Sequence, residues 1–172
     1  KERRERALAM VAQLEGPWLD QERAWRDAGP PLHDLRLQAR LAATSPRGTA
    51  TDYSRAMARV ATGFWHDEAT SEIMRRYLSW PMDNAAPDNF LGGLQTMGSK
   101  GGALPGVLTE ASYYVPQDGP HAGETRVVVL FLGDLNVTTW ASLMLGFHHQ
   151  QLMAELATNP ERLAQVQAAL QP

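Results

Sequence analysis

The segment LQTMGSKGGALPGVLTEASYYV, residues 94–115, decides the fold class that the sequence predicts. Residues 94–100 and 107–115 have the composition and length of two strands. A third strand is predicted over residues 124–132, because its apolar run is uninterrupted, as in a strand at a central position in a sheet. Turn residues 117–123 separate the last two strands. Connections this short predict antiparallel neighbours.

Helical patterns surround these strands. Thr51 is predicted to cap a helix that ends at Gly63, and Asp67 a second helix that ends at Trp80-Pro81. The first helix carries the apolar residues Tyr53, Met57 and Val60, and in the second Ile73, Met74, Tyr77 and Leu78 are expected to face inward. Further helices are predicted over residues 8–14, 19–27, 32–42, 138–158 and 160–170. The expected fold class is α+β, with an antiparallel sheet of three strands flanked by helices.

Length and composition limit the classes of function that the chain can have. A chain of 172 residues suffices for one domain, in which we expect helices over 1–44, a loop and helices over 45–89, strands over 90–135 and helices over 136–172. A net charge of −3 and a pI near 5.9 argue against a nucleic-acid partner. No apolar run reaches the length of a membrane helix. The absence of cysteine excludes disulfides and thiol catalysis.

The residues that could carry chemistry are Ser99-Lys100-Gly101-Gly102-Ala103. A lysine at a strand end, followed by two glycines, places a positive charge beside backbone that a ligand can approach closely. Backbone amides at such an edge can stabilise an oxyanion during acyl transfer. Taken alone, this pattern is more typical of an exposed lysine beside a simple bend.

The wider sequence resembles a known family. Residues 100–107, KGGALPGV, resemble the Lys-Thr-Gly strand of class A β-lactamases and related penicillin-recognising serine hydrolases, which continues small-Leu-Pro-Gly-Val. Residues 46–57, PRGTATDYSRAM, resemble the Thr-rich loop and helix of that family, at the expected distance from Lys100. The resemblance covers about residues 45–156 and implies an incomplete β-lactamase-like fold.

The resemblance also implies roles for individual residues. Lys100 would bind and polarise the substrate, and the Ala103 amide would form half of the oxyanion hole, so both are assigned to catalysis. Ser99, Gly101 and Gly102 are assigned to substrate binding. Gly101 departs from the family pattern, since a Thr or Ser hydroxyl usually contacts a substrate carboxylate there. The departure favours an esterase, a peptidase or a divergent homologue over a β-lactamase.

The nucleophile of that family is missing. Ser-x-x-Lys does not occur in the chain, and neither does Ser-x-Asn or Tyr-x-Asn. In the family both motifs precede the Thr-rich loop by enough residues to fall before Lys1, so we expect a C-terminal portion that begins after them. No glutamate has the Glu-x-x-Leu-Asn context of the family's base, and Asp34 is expected on a solvated helix face. No base is assigned.

Other candidate sites are weaker. Residues 93–100 approach a phosphate-binding loop, but Ser and Lys are in the wrong order and no helix follows. His148 and His149 are adjacent and must face different sides of a helix, so they cannot chelate one metal together. The histidines are expected at the surface or as caps. The tryptophans, residues 18, 25, 65, 80 and 140, are expected in the core or as anchors of helix packing. No metal or cofactor is predicted.

These observations predict the C-terminal portion of a serine hydrolase that transfers an acyl group from a lactam, ester or peptide to water. Its partners would be a small acyl substrate and the N-terminal portion of the same protein. The resemblance implies a periplasmic or secreted location. Two alternatives stay open: a non-catalytic binding relative, and an unrelated small α+β domain. In the fragment hypothesis an apolar sheet edge is left exposed, prone to aggregation or pairing with a partner.

Overall fold

The computed structural model describes residues 47–83 and 90–171 and seven isolated earlier positions, all helical: Asp20, Arg23, Ala24, Asp27, Gln38, Arg40 and Ala43. Two units divide the chain, Lys1–Arg40 and Leu41–Pro172. The helices predicted over 8–14, 19–27 and 32–42 lie outside the described residues apart from the isolated positions. Also outside are Asp34, Trp18 and Trp25, and positions 84–89.

The sheet contains β1 (Leu94–Leu104), β2 (Val107–Pro116) and β3 (Arg126–Leu132). The strands are antiparallel in the order β1-β2-β3, which confirms the predicted α+β class with three antiparallel strands. β1 does not end before Gly101 but continues through both glycines, which pair with Glu110 and Thr109 of β2.

The prediction of a central position for the third strand was wrong, because within the described residues β2 is central and β3 is an edge strand. The apolar run of β3 has another origin. Helices lie against both faces of the sheet, so residues pointing to either face are partly buried, and all seven residues of β3 are half-buried. A strand covered on both faces needs apolar residues at every position, whatever its place in the sheet order.

The described helices are α1 (Ala50–Ala61), α2 (Glu68–Leu78), α3 (Trp80–Asp83), α4 (Val137–Gly146), α5 (His148–Thr158) and α6 (Pro160–Ala169). Within the part of the chain that the structure describes, none is long and apolar enough to cross a bilayer. The C-terminal helix from Pro160 is confirmed, with the Asn159 side chain accepting from two backbone amides of its first turn.

The helix caps confirm two predictions and correct one. Asp67 caps α2, its carboxylate accepting from the Thr70 amide at 2.6 Å. Gly63 follows α1 with φ +84°, as expected of a glycine just beyond a helix end. The cap of α1, however, is Thr49 rather than Thr51, with the Thr49 hydroxyl 3.1 Å from the Asp52 amide. Helix α1 therefore begins one residue before the predicted cap.

The single helix predicted over residues 138–158 is two helices. Phe147 has φ +51°, a left-handed conformation that cannot continue a right-handed helix, so α4 ends before it and α5 begins after it. His149 stabilises this break, because its Nδ1 lies 3.2 Å from the Leu143 carbonyl oxygen in the last turn of α4.

The core lies on the two faces of the sheet. On the α1 face, α1 packs against β2 and β3, burying Met57, Ala111 and Tyr113. On the α5 face, α5 covers a larger group: Leu91, Leu94, Met97, Tyr114, Met153, Ala154 and Ala157.

Ile73 and Tyr77, which were expected to face inward, are exposed, and so are Tyr53, Trp65 and Trp80. In α2 the fully buried residue is instead the small Ser71, whose hydroxyl accepts from the Trp65 amide, and Arg75 of the same helix donates to the Val60 carbonyl. Helix α2 therefore contacts its neighbours through Ser71 and Arg75, and this orientation leaves Ile73 and Tyr77 in solvent. Trp140 is half-buried, with its indole N–H donating to the Val107 carbonyl at 3.2 Å.

Candidate functional site

An open cleft of about 780 Å³ lies on the α1 face of β1, and we call it the basic cleft. Its floor is Lys100–Leu104 of β1, and its walls come from the loop before α1, from Tyr53, and from the ends of β2 and β3. Arg47 and Lys100 are its charged lining residues, and no acidic side chain is among those the structure places there. The cleft therefore favours an anionic ligand.

The walls of the basic cleft follow from local structure. Tyr53 of α1 meets Phe131 of β3 edge to face, with the ring centroids 5.2 Å apart. Gly48 lies against the Tyr53 ring, and a Cβ at Gly48 would come within 2.6 Å of Tyr53 Cε2. Glycine at this position therefore lets the loop rest on the ring, next to Arg47 in the cleft wall.

Lys100 and Ala103, the residues assigned to catalysis, both lie on the floor of this cleft and are exposed. The Lys100 ammonium group donates to the Gly101 carbonyl. Gly102 is also exposed, and a Cβ there would meet one atom, Thr109 Oγ1, at 3.0 Å. Within the described residues β1 pairs with β2 alone, so its other edge is open along these positions.

A second cavity, of about 500 Å³, lies on the α5 face of the same strand, and we call it the α5-side cavity. It shares Lys100–Ala103 with the basic cleft. Its remaining lining residues are Trp80, Leu108, Glu110, Met144, Phe147, His149 and Gln150. Aromatic and aliphatic walls therefore surround one carboxylate, one imidazole and one amide.

A buried polar network lies beneath this cavity. Ser99 donates to Glu110 Oε1, and Ser112 donates to Ser99 at 3.0 Å. His149 Nε2 lies 3.7 Å from Glu110 Oε2, and Gln150 donates to the same oxygen at 3.5 Å. The side chains of Glu110 and His149 are only 5% and 4% exposed. His149 therefore corrects the expectation that the histidines lie at the surface or serve as caps alone.

Ser99 is separated from the other predicted site residues. Its side chain is 2% exposed and bonded within this network, whereas Lys100, Gly101, Gly102 and Ala103 line both the basic cleft and the α5-side cavity. Successive residues of a strand point to opposite faces, which accounts for the separation of Ser99 from Lys100.

The network contains the residue types of a catalytic triad, but they do not contact one another in the order that a triad requires. The carboxylate of Glu110 lies between Ser99 and His149, and the Ser99 hydroxyl donates to the carboxylate rather than to the imidazole. A serine nucleophile needs a base that accepts its proton, with a third group orienting that base. This arrangement cannot activate Ser99. Among the described residues no group of three or more potential metal ligands comes together either.

Gly101 has a specific neighbour. It pairs across the sheet with Glu110, and a Cβ at Gly101 would lie 2.6 Å from Glu110 Oε2. A Thr or Ser here would displace the buried carboxylate. The departure from the family pattern at Gly101 is therefore linked to the glutamate on the next strand.

Tyr114 borders the network on the same face of β2. Burial raises the pKa of its phenol above the ordinary value of 10, and the negative charge of Glu110 adds to this increase, while a hydrogen bond with Ser112 opposes it. The phenol therefore stays neutral and adds no charge beside the carboxylate.

Sequence reasoning did not assign Arg47, Tyr53, Glu110 or His149 to a site. The available signal was Glu110 itself, an acidic residue inside an otherwise apolar and hydroxyl-bearing strand. Its relation to His149 depends on how α5 packs, which the linear pattern does not contain.

Comparisons with family models, with curated proteins and with solved structures found no match to this chain. The resemblance to penicillin-recognising serine hydrolases rests on the motif residues alone.

Proposed function

We propose that the basic cleft binds a small anionic acyl compound, and that the chain is the substrate-binding C-terminal portion of a serine hydrolase of the β-lactamase and penicillin-binding class. The observation that carries the proposal is that Arg47 and Lys100 line one cleft, beside the edge of β1 that pairs with no strand among the described residues. Both residues belong to the two segments that resemble this class.

Each part of such a ligand has a matching surface. A carboxylate would pair with the guanidinium of Arg47 or the ammonium of Lys100, since charge-assisted hydrogen bonds are the strongest available in an open cleft. An amide would pair with the edge of β1, as an added strand does. An aromatic or aliphatic acyl group would contact the wall formed by Tyr53 and Phe131.

The proposed reaction is acyl transfer to water through a serine outside these 172 residues. In that reaction the Lys100 charge would stabilise the negative charge that develops on the substrate, and the backbone amide of Ala103 would donate to the oxyanion. Lys100 would contribute through its position and its positive charge. In the structure its ammonium group donates to the adjacent Gly101 carbonyl.

A non-catalytic binding relative is the second candidate, and the Gly101–Glu110 pair favours it. A Cβ at residue 101 would lie 2.6 Å from Glu110 Oε2, so a hydroxyl side chain where this class uses one would require the buried carboxylate to move. The chain would then keep the anion-binding cleft without the complete catalytic arrangement.

Binding is tested by titrating the protein with N-phenylacetylglycine, which has a carboxylate, an amide and an aromatic ring. The readout is the Thr109 methyl NMR signal, since Thr109 lines the basic cleft and not the α5-side cavity. We expect Lys100→Gln and Arg47→Gln each to weaken binding roughly tenfold, and Arg59→Gln on exposed α1 surface to leave it unchanged. The neutral N-phenylacetylglycinamide should bind more weakly.

Catalysis is tested by labelling the full-length protein with a fluorescent penicillin and with an activated ester. Covalent label that is lost in Lys100→Gln supports the hydrolase. Binding of N-phenylacetylglycine without label from either reagent supports the non-catalytic relative. If neither compound binds or labels, the proposed function is wrong.

A further inference from the structure

We infer that the α5-side cavity is a binding site for a cationic amine, an ammonium group carried on an aromatic or aliphatic body. This inference is independent of the proposed function, because it concerns the opposite face of β1 and the opposite charge. It rests on the arrangement of Glu110 and His149, on Gly101 and on the walls of the cavity.

The tautomer of His149 follows from its partner. Its Nδ1 lies 3.2 Å from the Leu143 carbonyl oxygen, and a carbonyl can only accept, so Nδ1 must carry a hydrogen. In the neutral imidazole Nε2 is then an acceptor. Nε2 faces Glu110 Oε2 at 3.7 Å, which is too long for a direct hydrogen bond. With the imidazole neutral, two buried acceptors therefore face each other.

A single ammonium group would satisfy both atoms. A nitrogen placed about 2.9 Å from each is compatible with a separation of 3.7 Å between them, and an ammonium has three hydrogens to donate. The carboxylate would gain a counter-ion, which a buried charge requires. Its described hydrogen bonds come from neutral groups, the Ser99 hydroxyl and the Gln150 amide.

The shape of the cavity is consistent with an amine that carries an apolar body. Trp80 and Phe147 line it and are about half exposed, so their rings offer faces for cation–π and apolar contact. Phe147 is held in the left-handed conformation between α4 and α5, a costly state for a non-glycine residue. Gly101 places no side chain beside the carboxylate, where a Cβ would lie 2.6 Å from Oε2.

Lys100 also lines this cavity and would oppose a bound cation. Its ammonium group donates to the Gly101 carbonyl, whereas the acceptor pair lies on the side of β1 where Ser99 is buried. Removing the lysine charge should therefore strengthen amine binding modestly, by roughly twofold to threefold, while weakening N-phenylacetylglycine in the basic cleft.

The test uses benzylammonium as the probe, with benzyl alcohol as its neutral counterpart. The Met144 methyl signal and the imidazole ¹⁵N signals of His149 report on the α5-side cavity, and Thr109 reports on the basic cleft. We expect saturable shifts of Met144 and of His149 Nε2 with benzylammonium, no response at Thr109, and no saturable response to benzyl alcohol. If N-phenylacetylglycine fails to bind in the same experiment, the result contradicts the proposed function but not the amine site.

Two variants test the contacts separately. Glu110→Gln keeps the shape and an acceptor for Ser99 but removes the charge, and it should weaken benzylammonium binding roughly tenfold to a hundredfold. Glu161→Gln, on exposed α6 surface, is the matched control and should have no effect. Phe147→Gly removes the aromatic wall at a position whose positive φ suits glycine, so it stays folded even if Glu110→Gln does not, and it should weaken binding roughly threefold.

Two results would overturn the inference. If benzylammonium produces no saturable shift of Met144 in the folded wild-type protein, and His149 carries a proton on both nitrogens, then Glu110 and His149 form a self-contained ion pair that needs no ligand. Equal binding by the wild-type protein and Phe147→Gly, with equal responses to benzylammonium and benzyl alcohol, would also contradict it.

Discussion

The two cavities share the same four residues of β1 and have opposite chemistry. The basic cleft is open and has Arg47 and Lys100 as its charged groups, whereas the α5-side cavity reaches a carboxylate and an imidazole that are almost fully buried. The difference arises from the pleat of one strand, which directs alternate side chains to opposite faces. A short glycine-containing strand segment can therefore line two sites of different chemistry.

The two faces should also differ in stability, and the largest effect is expected in the core. Met153 is fully buried among the apolar residues of the α5 face, while Met57 belongs to the smaller group on the α1 face. We expect Met153→Ala to lower the free energy of unfolding by about 3–4 kcal/mol and Met57→Ala by about 2 kcal/mol. Urea denaturation measures both, with Leu145→Ala, at an 83% exposed position, as the control near zero. Equal losses would show that the faces contribute equally.

The next effect concerns the two adjacent glycines. A serine at residue 101 would force the Glu110 carboxylate to move, whereas at residue 102 it would meet the Thr109 hydroxyl oxygen, at 3.0 Å. We expect Gly101→Ser to cost about 1–3 kcal/mol and Gly102→Ser less than about 1 kcal/mol. In a double-mutant cycle, Glu110→Ala should recover more than about 1 kcal/mol of the stability lost in Gly101→Ser. It should recover none of the stability lost in Gly102→Ser. No coupling between residues 101 and 110 would disprove the steric explanation.

Two adjacent tyrosines of β2 allow the pH dependence of stability to be compared between the two faces of the sheet. Burial raises the pKa of Tyr114 on the α5 face and of Tyr113 on the α1 face, and for Tyr113 the positive charge of Arg75 opposes the increase. Above pH 10 the unfolded chain releases phenolic protons that the folded chain keeps. The stabilisation is therefore complete below about pH 10 and is lost as the pH rises further, by up to about 1.4 kcal/mol per pH unit for each tyrosine.

Replacing each tyrosine separates the two contributions. We expect Tyr114→Phe to flatten the alkaline decrease in stability more than Tyr113→Phe does, because no positive charge opposes the effect of burial at Tyr114. Urea midpoints between pH 8 and pH 11 measure the slopes. If the two variants have the same slope as the wild-type protein, the phenols are not the groups that titrate.

The sequence predicted the features that depend on local order. The strands that begin at 94 and 107, the turn at 117–123 and the caps at Asp67 and Asn159 follow from residues within one element, and the structure confirms them, although β1 continues past the predicted end at residue 100 to Leu104. The edge position of β3 was not predictable from its apolar run, because cover by helices on both faces produces the same pattern as a central position. The burial of a strand can be predicted from its sequence, but the strands that lie beside it in the sheet cannot.

The candidate site likewise contains residues that the sequence predicted and residues that it did not. The segment Lys100–Ala103 was found from contiguous residues, and it does line a cleft. Glu110 and His149 were missed because they meet only when the β1–β2 register and the packing of α5 are known. The buried position of Ser99 was missed for a related reason: a motif gives the order of its residues but not the face to which each side chain points.

The break between α4 and α5 gives the smallest expected effect and the most direct test of local conformation. Phe147 has φ +51°, where a side chain costs about 1 kcal/mol or more and glycine does not. We expect Phe147→Gly to be more stable than Phe147→Ala by about 1 kcal/mol. At Leu145, an exposed position inside α4, the order should be reversed, with alanine favoured over glycine by about 1 kcal/mol. Thermal or urea unfolding of the four variants measures the two differences. If alanine is favoured at both positions, residues 138–158 form one continuous helix in solution, and the aromatic wall of the α5-side cavity is not held in place by the break.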